Sequence, residues 1–168
     1  MNPLNEKKIR ASFVNASRRE AATATLPDLD AVDWERQDYL GWVDAKSPLS
    51  AYAVFEVDGE PTVLLLRSST PGARGRRSAL CAWCEDVTAP DDVTLYVARR
   101  AGAAGRHGNT LGTLVCTGFT CSANVRRRPT FEEAGGDDEA VRAAIVERRV
   151  AGLRERSARF VAEVLSTR

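Results

Sequence analysis

Four cysteines stand in the 168 residues, as two close pairs: Cys81 with Cys84, and Cys116 with Cys121. The spacing, C-x2-C-x31-C-x4-C, constrains the chain more than any other feature. Four thiolates from two short turns can close a tetrahedral shell around one zinc ion, with Zn–S distances near ~2.3 Å. Such a shell uses every cysteine and leaves no position for water. It therefore predicts a structural Zn2+ site, with Cys81, Cys84, Cys116 and Cys121 as ligands. Two other uses of the thiols compete with this one. Two disulfides need an oxidising compartment, and the opening Met1-Asn2-Pro3-Leu4-Asn5-Glu6-Lys7-Lys8 has no apolar signal segment. A redox pair at Cys81-Ala82-Trp83-Cys84 needs a helix N-terminus to lower its thiol pKa. Here Glu85, Asp86, Thr88 and Pro90 follow, which suits a turn, and nearby acids raise a thiol pKa.

The length fits one domain, or one domain with a helical extension. No apolar run approaches the ~20 residues of a membrane span; the longest, Val63-Leu64-Leu65-Leu66, has strand length. A cytoplasmic protein with no membrane contact is expected. The net charge of +1 excludes polyanion binding by bulk charge, but the distribution is uneven. From Arg67 to Arg128 stand ten arginines against four acids, a net +6, while the remainder holds fourteen bases and nineteen acids. Arginine favours bidentate contact with carboxylate or phosphate. A solvated face accounts equally well for any single one of them.

Along the chain, Asn2-Pro3 and the stripe Leu4, Ile9, Phe13, Ala16 predict a helix from about Pro3 to Ala22. Asp28 and Asp30 are placed to cap a short helix around Ala31 to Tyr39, near the cluster Trp34, Tyr39, Leu40 and Trp42. Tyr52 to Val57, the turn Asp58-Gly59, and Thr62 to Arg67 read as a hairpin. Ser68 to Ser78 is a loop with Arg74, Arg76 and Arg77. Val93 to Arg99 and Thr110 to Val115 are strands, joined by the Gly-rich stretch Ala101 to Asn109. Cys121 to Arg126 reads as a first helical turn. Glu132 to Glu139 is an acidic loop. Asp138 to Leu165 is a long helix with Val146, Val150, Leu153, Phe160, Val161 and Val164 along one face, despite Gly152.

A cysteine turn, a β-hairpin and a second cysteine pair at a helix start form the layout of a treble-clef zinc finger, over about residues 78–128. The fold expected is α+β: an antiparallel sheet with this finger, flanked by N-terminal and C-terminal helices. The division is an N-terminal helical extension (1–27) and a single zinc-containing domain (28–168). Metal binding supplies folding free energy that a thin Arg- and Gly-rich core cannot, on the order of 10 kcal/mol in small zinc peptides. No catalytic residue is expected. His107, the one histidine, has no arguable partner or pocket, and Ala103 to Asn109 lacks the Gly-Lys-Ser/Thr of a phosphate-binding loop.

Leu80-Cys81-Ala82-Trp83-Cys84, Gly108-Asn109-Thr110-Leu111-Gly112-Thr113, and Cys116 with Cys121-Ser122-Ala123-Asn124-Val125-Arg126 together resemble the elongation factor G-binding, FusB-type fusidic-acid-resistance proteins. The closer likeness is to the short actinobacterial members carrying that family's treble-clef zinc-finger domain. Tyr39-Leu40-Gly41-Trp42, then Tyr52 to Arg67, is similar too, so the resemblance runs from about residue 28 to 165. It implies a cytoplasmic binder that frees elongation factor G from a stalled ribosome, breaks no bond and takes no small-molecule substrate. The resistance proteins carry a longer N-terminal helical bundle. The resemblance therefore implies translation-factor binding more directly than drug defence. The partner surface expected is Phe119 as an exposed apolar anchor, the alternative for it being to pack under the metal, with Arg126, Arg127, Arg128, Arg99 and Arg100. The runner-up is a zinc-finger RNA- or ribosome-binding protein that uses these arginines and Arg106 without binding elongation factor G.

Overall fold

The computed structural model describes residues 1–69, 79–87 and 92–166. Arg74, Arg76 and Arg77 of the expected Arg-rich loop lie outside the described residues, as do Thr88, Pro90 and Asp91. Five antiparallel strands follow one another in sheet order as in sequence: β1 (Leu40–Val43), β2 (Ser50–Val57), β3 (Glu60–Arg67), β4 (Val93–Arg99) and β5 (Thr110–Cys116). The α+β architecture with an antiparallel sheet is therefore the one expected.

The β2–β3 hairpin turns on Asp58 and Gly59, both at positive φ (51° and 80°), as a two-residue turn matched to strand twist requires. Both strands are near-continuous apolar runs because both their faces are covered. Ala51, Ala53, Phe55, Leu64 and Leu66 point into a core shared with the cysteines. Tyr52, Val54, Val63 and Leu65 point into a second core on the other side. The strands β4 and β5 instead alternate. Tyr96, Ala98 and Val115 face inward, while Leu95 and Leu114 are opposite one another and exposed.

The sheet forks between β3 and β4, where the register holds only at Leu66↔Ala98 and Arg67↔Val97. The N-terminal segment fills the fork, which corrects the long helix expected from Pro3 to Ala22. Two short helices occur instead: α1 (Glu6–Ala11), capped by Asn5 and not by Asn2, and α2 (Arg18–Thr23), closed by a Ser17–Glu20 capping box. Between them Phe13 pairs parallel with Val63; the Val14 N–H donates to the Val63 carbonyl at 3.1 Å, and the Val63 N–H to the Ser12 carbonyl at 2.9 Å. The buried Asn15 side chain completes the join. It accepts from the Leu65 N–H (2.8 Å) and donates to the carbonyls of Leu65 and Arg99 (3.0 Å each). Backbone groups of the diverging strands outbid local helix propensity here.

The short helix expected at Ala31 to Tyr39 is a single 3-10 turn, Trp34–Arg36, with no side-chain cap. The aromatic cluster divides between faces: Tyr39 enters the cysteine core, while Trp34, Leu40 and Trp42 enter the other. The Gly-rich stretch folds as α3 (Gly102–Arg106), and α4 (Cys121–Asn124) begins at the fourth cysteine. The acidic loop contains α5 (Phe131–Ala134), set by a Thr130–Glu133 capping box. Asp138 caps the 27-residue α6 (Glu139–Leu165), whose buried positions include Arg142, Ile145, Leu153, Ser157, Phe160, Val161 and Val164. Val146 and Val150 of the expected stripe are only partly buried.

Candidate metal centre

Each cysteine pair is delivered by a tight turn. Cys81 and Cys84 lie on one where the Glu85 N–H donates to the Cys81 carbonyl at 3.0 Å; Cys116 leaves the end of β5 into another, closed by the Phe119 N–H on the Cys116 carbonyl at 2.9 Å. Both turns need a left-handed residue, filled by Glu85 (φ 52°) and Phe119 (φ 57°). The Ala82 N–H donates to the Leu114 carbonyl at 2.7 Å, tying the first turn to β5. The pairs then interleave: Cys81 Sγ stands 3.6 Å from Cys121 Sγ, and Cys84 Sγ 3.6 Å from Cys116 Sγ.

All four cysteines are buried, unbridged, and have sulfurs within 4.8 Å of one another. A disulfide would need ~2.05 Å. A tetrahedron of radius ~2.3 Å has edges near ~3.8 Å, so the 3.6 Å contacts fit four sulfurs around one zinc. Four buried thiolates this close repel one another, so holding all four charged here requires a cation. The centre is a structural zinc site held by Cys81, Cys84, Cys116 and Cys121.

The surrounding groups orient the ligands. The Asn124 amide donates to Cys116 Sγ at 3.5 Å, and the Cys84 N–H to Cys81 Sγ at 3.5 Å. Tyr39 is fully buried, its ring packed on Trp83, Phe55 and Phe119. Its hydroxyl makes no hydrogen bond of ordinary geometry with a described residue, yet it lies beside the Cys121 sulfur. Burial first, then that sulfur, hold it protonated, well above the usual tyrosine range. From α6, Arg156 donates to the Trp83 carbonyl at 2.8 Å and pairs with Glu85 at 3.0 Å, clamping the first turn. Gly152 gives that side chain room: a Cβ there would stand 2.8 Å from the Arg156 guanidinium.

Phe119 corrects the expectation of an exposed anchor. It is 5 % exposed and packs on Tyr96 and Tyr39. Gly41 is what admits its ring, since a Cβ at residue 41 would lie 2.5 Å from it. The arginine triplet is drawn into ion pairs that no local spacing displays. Arg126 and Arg154 both donate to the buried Asp38 carboxylate (3.1 and 2.8 Å); burial alone would raise that carboxyl, but the two guanidiniums hold it below its usual range. Arg127 pairs with Asp86 and Glu133, and Arg149 also reaches Glu133. The Arg127 hydrogen bond, then the Thr130 N–H, lower Glu133 to about 2. Arg128 pairs with Glu139 but stays 70 % exposed. Arg99 pairs with Glu20, and Arg100 donates to the Glu163 carbonyl at the end of α6. Sequence reasoning missed Tyr39, Asn124, Asp38 and Arg156 as supports of the centre. Only the Thr130-x-x-Glu133 capping signature was there to be read.

His107 is exposed at the end of α3. Among the described residues no helix is long and apolar enough to cross a membrane. No curated protein and no solved structure matches the chain. The family model of the FBP C-terminal treble-clef zinc-finger matches residues 8–164, which takes in all four cysteines, the β4–β5 hairpin between them and α4 behind them. A match over nearly the whole length, on a chain whose cysteines converge in the order this finger requires, means that the protein belongs to the FBP C-terminal treble-clef zinc-finger (FusB-type) family.

Proposed function

We propose that this protein is a zinc-containing binding protein for translation elongation factor G. In this reading it promotes release of the factor from the ribosome, or its turnover there, in the cytoplasm. It breaks no bond, and fusidic acid resistance follows where the drug-locked factor is what it frees. The observation that carries the reading is the family match over residues 8–164, coincident with a zinc centre whose ligands are all buried and all protein-supplied. Such a centre fixes a surface rather than opening a coordination site to a substrate.

The surface best suited to that contact is the outer face of the β4–β5 hairpin. Leu95 (52 % exposed) and Leu114 (37 %) stand directly opposite each other there. Leu80 (49 %) leads into the cysteine turn that is bonded to the Leu114 carbonyl. A cluster of exposed leucines on a metal-fixed frame supplies the apolar centre that protein interfaces use. Arg126 and Arg127 contribute by holding α4 and α5 in place, through Asp38 and Glu133.

The test is titration of purified elongation factor G with wild type and with the Leu95→Ala/Leu114→Ala variant, with and without ribosomes. The double variant should lose roughly tenfold to a hundredfold in affinity, about 1–3 kcal/mol. Absence of wild-type binding under both conditions defeats the reading. Binding that ignores the variant keeps the partner and rejects this face.

A further inference from the structure

The arginines expected beside the second cysteine pair are neutralised by Asp38, Asp86, Glu133 and Glu139. Among the described residues, positive charge left without a carboxylate gathers instead around a concavity at the fork of the sheet. A cavity of about 310 Å³ opens there between the N-terminal segment and α3. Arg99, Arg100 and Arg106 line it, with Asn15 and Ser17, and no carboxylate is among its described lining residues. A neighbouring cavity of about 440 Å³ shares Ala16 and Ser17 with it and adds Arg18.

The electrostatic balance of this strip is positive. Glu20 is one carboxylate shared by two guanidiniums, Arg67 (3.0 Å) and Arg99 (2.8 Å). Burial opposes its ionisation, but hydrogen bonds from Ser17 and the nearby arginines lower it to about 2, so it stays charged and keeps both guanidiniums oriented. One positive charge remains uncompensated from that triad. Arg18 and Arg106 are exposed and have no ionic or hydrogen-bonded side-chain partner among the described residues. The Arg100 guanidinium rests on the carbonyls of Glu163 and Ser166, which fixes its position without supplying a full counter-charge. Forked guanidiniums preorganised around an open concavity fit a tetrahedral phosphate oxyanion.

From this geometry we propose that the cavity of Arg99, Arg100 and Arg106, extended over α2 by Arg18, binds the phosphodiester backbone of RNA. It is a second contact, distinct from the elongation-factor face on β4–β5; only the choice of RNA over DNA rests on the ribosomal setting of the proposed function. The charge forms a strip over two adjoining open cavities and not a closed pocket, which suits a chain of phosphates better than a free one. No aromatic side chain lines the first cavity, and Phe13 at the second is engaged edge-on with Tyr52 and packed against the core, so the strip offers bases no free stacking platform. Binding is therefore independent of sequence and steeply dependent on salt.

The experiment is fluorescence anisotropy of a labelled 20-nucleotide single-stranded RNA of mixed sequence, and of the equivalent DNA, against the zinc-loaded protein at 50–200 mM salt. Arg18→Ala/Arg106→Ala is compared with Arg36→Ala/Arg148→Ala, which removes equal charge at exposed positions elsewhere. Wild type should bind RNA with a log–log salt slope that the cavity variant makes shallower by more than 1, since each phosphate contact contributes ~0.7 on single strands. The cavity variant should lose about tenfold in affinity at the lowest salt, and the control less than threefold. No wild-type RNA binding at 50 mM salt overturns the proposal, as does an equal loss in both variants or a clear preference for DNA. Titration of the same variants against purified elongation factor G, free of RNA, separates the two readings. If the cavity variant loses the factor and keeps RNA, the cavity is a protein contact and the RNA proposal fails. If wild type binds RNA at the cavity but never the factor, this proposal stands and the elongation-factor reading fails.

Discussion

The two faces of the β1–β3 sheet are sealed by different means. On one, Ile9, Leu40, Trp42, Tyr52, Val54, Val63 and Leu65 close on one another under the N-terminal segment, with no cysteine in the cluster. On the other, Tyr39, Phe55, Trp83, Phe119 and Phe160 surround four cysteines, and α6 lies over them. The first face is joined by aliphatic and aromatic contact, with the buried Asn15 amide and Asp44 carboxylate satisfying polar groups at its edges. The second carries two turns with left-handed residues and ligands that repel one another unless a cation holds them. Apolar area is enough where the chain can present β-branched and aromatic residues in strand register. Metal is needed where short turns with non-glycine left-handed residues must be fixed in space.

Loss of zinc is the largest blow to that contrast. Chelation, or Cys121→Ser, removes a term on the order of 10 kcal/mol. It should strip amide protection from residues 81–84, from β4, β5 and α4, and from α6, which loses Arg156's hold on Trp83 and Glu85. The β2–β3 hairpin and its pairing with Ser12 and Val14 should exchange more slowly than these. Hydrogen exchange on apo and zinc-loaded protein measures this. Simultaneous loss everywhere would mean that the two faces are one cooperative unit.

Asn15 is the corresponding pin on the metal-free face. Asn15→Ala orphans the Leu65 N–H and leaves the Leu65 and Arg99 carbonyls each without its amide donor. The expected cost is about 2–3 kcal/mol, with zinc content unchanged. Denaturant melts with a metal assay decide this; a variant that melts like wild type would show that water replaces the amide at no cost. Tyr39→Phe is the matched change on the zinc face. The Tyr39 hydroxyl is held protonated beside a ligand sulfur. Its removal should speed zinc transfer to a competing chelator and weaken affinity by about 10–100-fold, as loss of groups that support metal ligands does. Unchanged zinc transfer would reduce Tyr39 to a packing residue.

What could be read from sequence differs between the faces for the same reason. The cysteine spacing, the β2–β3 turn and the apolar runs of β4 and β5 are local patterns, and each strand lands within a residue or two of its observed bounds. The N-terminal segment defeats a local reading because Leu4, Ile9, Phe13 and Ala16 satisfy a helical period, whereas residues 12–14 are claimed by β3 some fifty positions away. Asn15 carries no local signal, since all its partners are distant: Leu65 and Arg99 lie 50 and 84 positions along the chain. The arginine triplet misled likewise. Asp38 neutralises Arg126 from 88 residues upstream, and charge counted along a segment misses such pairing. The burial of Phe119 has no local signal either, because the space that admits its ring at Gly41 is visible only as a missing side chain.

The smallest expected effect is electrostatic, and it too divides the faces. Glu20 lies at the edge of the metal-free face and is lowered to about 2 in the folded chain, against ~4.3 for an unperturbed glutamate. Its folded pKa is depressed, so its contribution is fully present above about pH 5. That contribution falls as pH drops from there toward about 2. Thermal melts of wild type and Glu20→Gln should therefore differ by a constant amount from pH 8 to pH 5, and the difference should shrink as the pH is lowered further. Zinc release in acid does not mimic this, because protons on the ligand thiolates act equally in both proteins and cancel in the difference. A difference that instead grows on acidification would mean that Glu20 is held protonated. The Arg67–Glu20–Arg99 triad would then be broken in solution, and with it the charge arrangement that frames the cavity at the fork of the sheet.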